Sequence, residues 1–239
     1  MEGFSYSNIF DTKGVEYIAI IAFFLVLIPF WIILNKLAVV KQKINKVLNI
    51  LTFDILKIPQ GVFYEKNHTW VYLEKSGIVS LGLDDFLLHT IGEVKLKSII
   101  NSSEKINKGD LLAEVEKDNK ILQIYSPISG TIITSNSELE ESPELLNEDP
   151  YGKGWIYKIK PTKWMEESSS LYLAEGATNW SKIEIARFKE FMADSTKKYS
   201  PEPSLTILQD GGELIDHPLA ELPEAVWKDF QKSFLNYQN

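Results

Sequence analysis

Cysteine is absent from the 239 residues. That excludes disulfides, thiolate-ligated zinc, cysteine-bound clusters and a thiol nucleophile within this chain. Histidine is scarce. Only His68, His89 and His217 occur, far apart, and no H-x-x-x-H spacing puts two imidazoles on one helical face around a metal. The three are read as ordinary core or surface residues. Positive charge is in deficit: 25 Lys and Arg against 33 Asp and Glu leave a net charge of −8. The basic footprint of a nucleic-acid binder is missing. No P-loop, dinucleotide fingerprint or nucleophile–base pair occurs, so neither catalysis in its own right nor a metal is expected.

One apolar run is present. Tyr17 to Leu34, YIAIIAFFLVLIPFWIIL, carries no charge. As a helix rising about 1.5 Å per residue it would reach about 27 Å, close to a hydrocarbon core of roughly 30 Å. Pro29 can kink it, and Tyr17 and Trp31 sit near its ends, where amphipathic rings favour the interface. Lys13 alone precedes the run, whereas Lys36, Lys41, Lys43 and Lys46 follow it. Positive-inside asymmetry then predicts a single pass through the inner (cytoplasmic) membrane, with residues 1–16 outside and the rest in the cytoplasm. Basic residues that follow the run, and the lack of a small-x-small cleavage site, speak against a cleaved signal peptide. Over residues 35–60, Leu37, Val40, Ile44, Leu48 and Leu51 form an apolar stripe opposite lysines. The stripe predicts an amphipathic stalk helix and linker that continues the span, lies on anionic lipid or packs on a partner.

From Val62 the period changes to two. Short β-rich runs at Thr69–Leu73, Gly77–Gly82, Glu93–Ile99, Leu111–Val115, Leu122–Tyr125 and Gly130–Ser135 are broken by turn-forming residues. Asp84 to Ile91 reads as one or two helical turns closed by Gly92. So many short strands predict a small sandwich or barrel.

The motifs Asn67-His68-Thr69-Trp70-Val71, Gly92-Glu93-Val94, Lys108-Gly109-Asp110, Ile124-Tyr125-Ser126-Pro127-Ile128-Ser129-Gly130 and Ser142 to Pro161 (SPELLNEDPYGKGWIYKIKP) follow in that order. Together, over about Phe63 to Trp164, they resemble the glycine cleavage system H-protein. The resemblance implies a mainly β, lipoyl-type barrel-sandwich hybrid over residues 62–164. It also implies an exposed turn whose lysine carries a lipoyl arm. The arm's amide needs a primary amine at the tip, held there by a rigid hairpin.

The chain places something else there. The family's lysine stands ten residues after the Gly of the upstream corner and eight before the Pro of the downstream one. From Gly109 and from Pro127 both counts end on Asn119. Glu116 and Asp118 match the acidic residues of such turns, and Gly130 closes the frame. Lys120 comes one residue late, and adjacent residues of a hairpin point in different directions. The expectation is a lost acceptor and no cofactor; lipoate on Lys120 is the alternative.

Residues 165–239 hold 13 acidic and 7 basic side chains. Met165 to Ser170 reads as a polar joint. Trp180, Ile183, Phe188, Phe191 and Met192 form a helical stripe after a cap at Thr178 or Asn179. A hairpin is expected around Asp210-Gly211-Gly212, and a last helix from Pro223 to about Leu235. The aromatics Trp180, Phe188, Phe191, Trp227, Phe230 and Phe234 need a surface to bury against, either the chain's own core or another subunit. The resulting expectation is a membrane-anchored, non-lipoylated H-protein-like scaffold subunit with an α-rich C-terminal extension. It would bind other protein subunits at the cytoplasmic face of a redox or respiratory complex. The alternative is a working lipoyl carrier of glycine cleavage or a related pathway.

Overall fold

The computed structural model describes residues 17–32, 51–199 and 214–236. They fall in two units, Met1–Leu48 and Asn49–Asn239. The first holds one described helix, α1 (17–32), whose large apolar side chains are 40–71% exposed. Residues 33 and 34 of the expected 17–34 span lie outside the described residues. No helix among the described residues is long and apolar enough to cross a membrane. Positions 33–50, with most of the expected stalk, lie outside the described residues, as does most of the expected hairpin at 200–213. The end of the stalk region is not a stalk. Leu51 is fully buried, its N–H donates to Leu214 O at 2.6 Å, and Phe53–Ile55 form one 3₁₀ turn.

The second unit is a two-sheet sandwich. Its strands are β1 (Phe63–Tyr64), β2 (Thr69–Leu73), β3 (Val79–Leu83), β4 (Lys95–Ser98), β5 (Lys105–Ile106), β6 (Leu111–Lys117), β7 (Lys120–Tyr125), β8 (Gly130–Ser135), β9 (Trp155–Pro161) and β10 (Tyr172–Leu173). Seven strands form one sheet in the order β10-β1-β2-β3-β9-β8-β5, and β4-β6-β7 form the other. Alternation decides which residues face inward. Val79, Leu81, Ile132, Tyr157 and Ile159 from the large sheet meet Leu112, Val115, Leu122 and Ile124 from the small one. Tyr157 joins the sheets with a polar bond as well: its hydroxyl donates to Leu112 O at 3.1 Å.

Helix α2 (Asp85–Ile91) covers one end of the sandwich. Asp84 caps it by accepting the Leu87 N–H at 2.8 Å, and it closes at Gly92 as the sequence predicts. Two short helices, α3 (Glu138–Glu141) and α4 (Leu145–Glu148), precede β9. Past residue 164 the fold continues without a joint. Helix α5 (Trp164–Glu167) and the 3₁₀ turn Ser168–Ser170 occupy the stretch expected as a polar linker. They are clasped to the core, because the Glu167 carboxylate accepts Ser129 N–H at 2.6 Å and Ser129 Oγ at 2.5 Å. Strand β10 then pairs with β1. Helix α6 (Glu175–Tyr199) starts ahead of the expected cap, and Ile183, expected on its apolar stripe, is 63% exposed. The last helix, α7 (Glu224–Phe230), begins after Pro223 and loosens into a π turn, Gln231–Leu235. Extension and sandwich therefore belong to one unit.

Candidate functional site

The β6–β7 hairpin is the candidate site, and its base explains why the two sequence counts agree. Gly109 N–H donates to Ser126 O at 2.7 Å, and Ser126 N–H donates to Asp110 O at 2.8 Å. The two corners that bracket the hairpin are thus bonded to each other. Gly109 has a φ of 88°, a left-handed conformation that glycine adopts without a side-chain clash. Pro127 is buried behind it. Asn67 Nδ2 ties the end of β7 to the β1–β2 turn by donating to Tyr125 O at 3.0 Å. Gly130 is required by close approach: a Cβ there would lie 2.5 Å from Ile159 Cγ2 and 2.6 Å from Lys160 O.

Past one irregularity between Leu111 and Ala113, the ladder runs in register from Ala113↔Ile124 to Glu116↔Ile121 and Lys117↔Lys120. Two residues remain for the turn, Asp118 and Asn119, with φ of 49° and 63°. Positive φ at both central positions is the type I′ signature, and Asp and Asn tolerate it. Both side chains are exposed, as is Glu116. Beside the tip, Glu93, Glu116, Asp118 and Glu144 face a groove of about 460 Å³ together with Lys95 and Lys117. The tip offers carboxylates and a carboxamide to solvent.

Lys120 is half-buried and leaves the tip sideways. Its ammonium donates to Ala220 O at 2.6 Å and Leu222 O at 3.3 Å, and it lies 5.1 Å from the centre of the Trp227 ring. A lipoyl arm needs a free primary amine at an exposed tip. Asn119 has the exposure without the amine, and Lys120 has the amine without the exposure. The residues present do not fit the group.

The extension's aromatics are placed inside the chain. Phe188 and Phe230 are fully buried, Trp227 and Phe234 nearly so, Trp180 is buried and Phe191 partly buried. Phe230 and Phe234 stack at 4.7 Å, with Phe188 edge-on to both. The reading of these six as seats for another subunit is corrected by that burial: the surface they cover is the chain's own. The physical reason is that α6 and α7 bring a whole aromatic cluster to one end of the sandwich, where α2 supplies Phe86.

The cluster surrounds a charged chain that the sequence analysis missed. His68 is completely buried between Phe86 and Trp180, at ring distances of 4.6 and 5.2 Å. Its Nδ1 is 2.8 Å from Asp84 Oδ2, and its Nε2 is 3.5 Å from Glu184 Oε2. Glu184 in turn accepts two bonds from Arg187 Nη1, at 2.9 and 2.8 Å, and Arg187 Nη2 donates to Ser233 O. Burial pushes the His68 pKa down, but Asp84 and Glu184 outweigh it and hold the ring at about 9. His89 is also held at about 9: burial lowers it, and bonds to Asp216 and Asp85 raise it more. The partners of His68 are 16 and 116 residues away, so no local pattern announces them. His217 meets the same Asp216 at 3.5 Å. Among the described residues no group of His, Asp and Glu is arranged to hold a metal.

Known proteins resemble this chain over the sandwich. A family model, "Glycine cleavage H-protein", matches residues 62–183, about half of the chain. The chain is 39% identical over 119 residues to the "Probable glycine cleavage system H protein" of Thermococcus gammatolerans, covering 50% of this chain and 88% of that one. It is 36% identical over 121 residues to the "Glycine cleavage system H protein" of Thermus thermophilus, covering 51% and 93%. The solved glycine cleavage system H protein of Mycobacterium marinum aligns at 26% identity and a TM-score of 0.41, over 44% of this chain and 87% of that one. The matched region runs past the sandwich and through β10 into the first turns of α6. The chain belongs to the glycine cleavage H-protein family.

Proposed function

We propose that the protein is a non-lipoylated H-protein-like subunit, held at a membrane by its N-terminal apolar segment, which serves as a protein-interaction component at the cytoplasmic face. It performs no chemistry of its own. The observation that carries the reading is the hairpin: a complete carrier turn with Asn119 at its tip and the neighbouring lysine bonded to the C-terminal extension. A carboxamide is no acyl acceptor, so the lipoyl carrier function implied by the names of the relatives stops at that position. Membrane attachment is supported by the exposed apolar side chains of α1 and by the lysines that follow them in sequence.

Intact mass spectrometry of the protein purified from native membranes tests the central point. The expected mass is that of the unmodified chain. A lipoyl-sized adduct that disappears in Lys120→Arg would establish the rival reading, a working carrier. An Asn119→Lys variant, expressed with a lipoylation system, is the positive control for the tip. The attachment is tested separately by fractionation, where release of the full chain from membranes by high salt alone would count against an apolar anchor.

A further inference from the structure

Among the described residues β7 is an edge strand, since the small sheet runs β4-β6-β7. An open edge offers unpaired N–H and C=O groups to any extended segment that can reach them. Here one such pair is taken in cis. Gln231 Oε1 accepts the Gln123 N–H at 2.7 Å, and Gln231 Nε2 donates to Gln123 O at 3.1 Å. The side-chain amide thus presents to β7 the same donor and acceptor that the peptide group of a neighbouring strand would. Three residues earlier on β7, Lys120 is held by Ala220 O, Leu222 O and the Trp227 ring. The segment that carries these carbonyls is tied down at Leu219: Trp227 Nε1 donates to Leu219 O at 2.8 Å, and Leu219 N–H donates to Thr90 O of α2 at 3.1 Å.

We propose that residues 214–236 are a cis-acting cover for the carrier hairpin, masking the Lys120 amine from acylating enzymes and the β7 edge from strand-adding proteins. The cover is separate from the loss of the acceptor at position 119, because it acts on a different residue through a different part of the chain. It is anchored by Trp227, Phe230 and Phe234, all buried, so it is a permanent part of the fold. Its chemistry is selective. Two carbonyls, an aromatic face and the ammonium's own charge hold a cation that a neutral acyl-lysine would not replace.

Limited acetylation of the full chain in detergent, followed by peptide mass spectrometry, reads the masking directly. Lys97 and Lys228, with side chains 71% and 69% exposed, are the internal references. Lys120 reacts only through local opening and is expected to label about tenfold more slowly than either, or slower still. Labelling at the rate of the references overturns the proposal. Hydrogen exchange reads the edge. The Gln123 amide is expected to be protected in the parent and to lose that protection in Gln231→Ala, while the amides of β6 keep theirs. Equal exchange at Gln123 in the two proteins overturns the edge-capping half. The proposal and the functional reading fail separately. Acylation of Lys120 found in the native protein sinks both the reading and the mask, whereas a freely reactive Lys120 in an unmodified protein sinks only the cover.

Discussion

His68 shows how one side chain can bind two halves of a sequence. Its ring is pressed between an aromatic of α2 and one of α6, and both of its nitrogens face carboxylates. With a folded pKa of about 9 against an ordinary 6.5, it binds its proton more tightly in the fold than in the open chain. The stability it contributes is therefore fully present below pH 6.5 and is lost as pH rises through 9, on the order of 3 kcal/mol at full effect. His89, also held at about 9, acts in the same direction. Urea unfolding at pH 6, 7.5 and 9 should show the midpoint falling over that range. Asp84→Asn, which keeps a good N-cap for α2 while removing the charge beside the ring, should flatten part of the fall. A midpoint that stays level or rises from pH 6 to 9 would refute the assignment. In the sequence this histidine is one of three solitary rings. What was legible at residue scale was Asn119, since position in a hairpin is set by nearby counts. What was illegible was anything decided by a partner 116 residues away.

At the scale of elements, the strands and α2 follow from local pattern. Alternation marked β2, β3 and β8, and Asp84 and Gly92 bracketed α2 as cap and close. The failures fall where tertiary contact overrides local composition. Met165–Ser170 reads as a linker because it is polar, yet Glu167 reaches back to the Ser129 backbone and turns the stretch into a clasp. Residues 51–60 read as the end of a stalk, yet Leu51 belongs to the core. Gly130 marks the opposite case, a corner in which sequence and packing agree. Gly130→Ala puts a methyl group against Ile159 and the Lys160 backbone, and the neighbour that must move is a paired strand. The expected cost is about 1–3 kcal/mol, read as a lower urea midpoint with an unchanged slope. A variant as stable as the parent would show that β9 yields more easily than this packing allows.

For the whole molecule, the decisive finding is that the acidic extension and the family domain share one core. Phe188 of α6 meets Phe86 of α2 edge-on and packs against Phe230 and Phe234 from the last turns of the chain. Phe188→Ala should cost about 3–5 kcal/mol. It should also lower the unfolding of sandwich and extension together, so that near-ultraviolet and far-ultraviolet circular dichroism report one transition. Two resolved transitions, with the sandwich unchanged, would mean that the extension is a separate body. The sequence left this open because an aromatic stripe states that a surface must be covered without stating whose surface it is.

The bonded corners at the base of the hairpin act as a fixed ruler. With Gly109 and Ser126 tied together, the number of residues between them sets both the tip and the facing of every side chain on the way. Sliding Lys120 back by one place would bring an amine to the turn. The same slide would carry Leu122 and Ile124 out of the core and put Gln123, now exposed, and Tyr125, now partly exposed, in their places. A lineage with this hairpin could thus regain a tip lysine by substitution at position 119, but shifting the one it already has would turn the strand inside out.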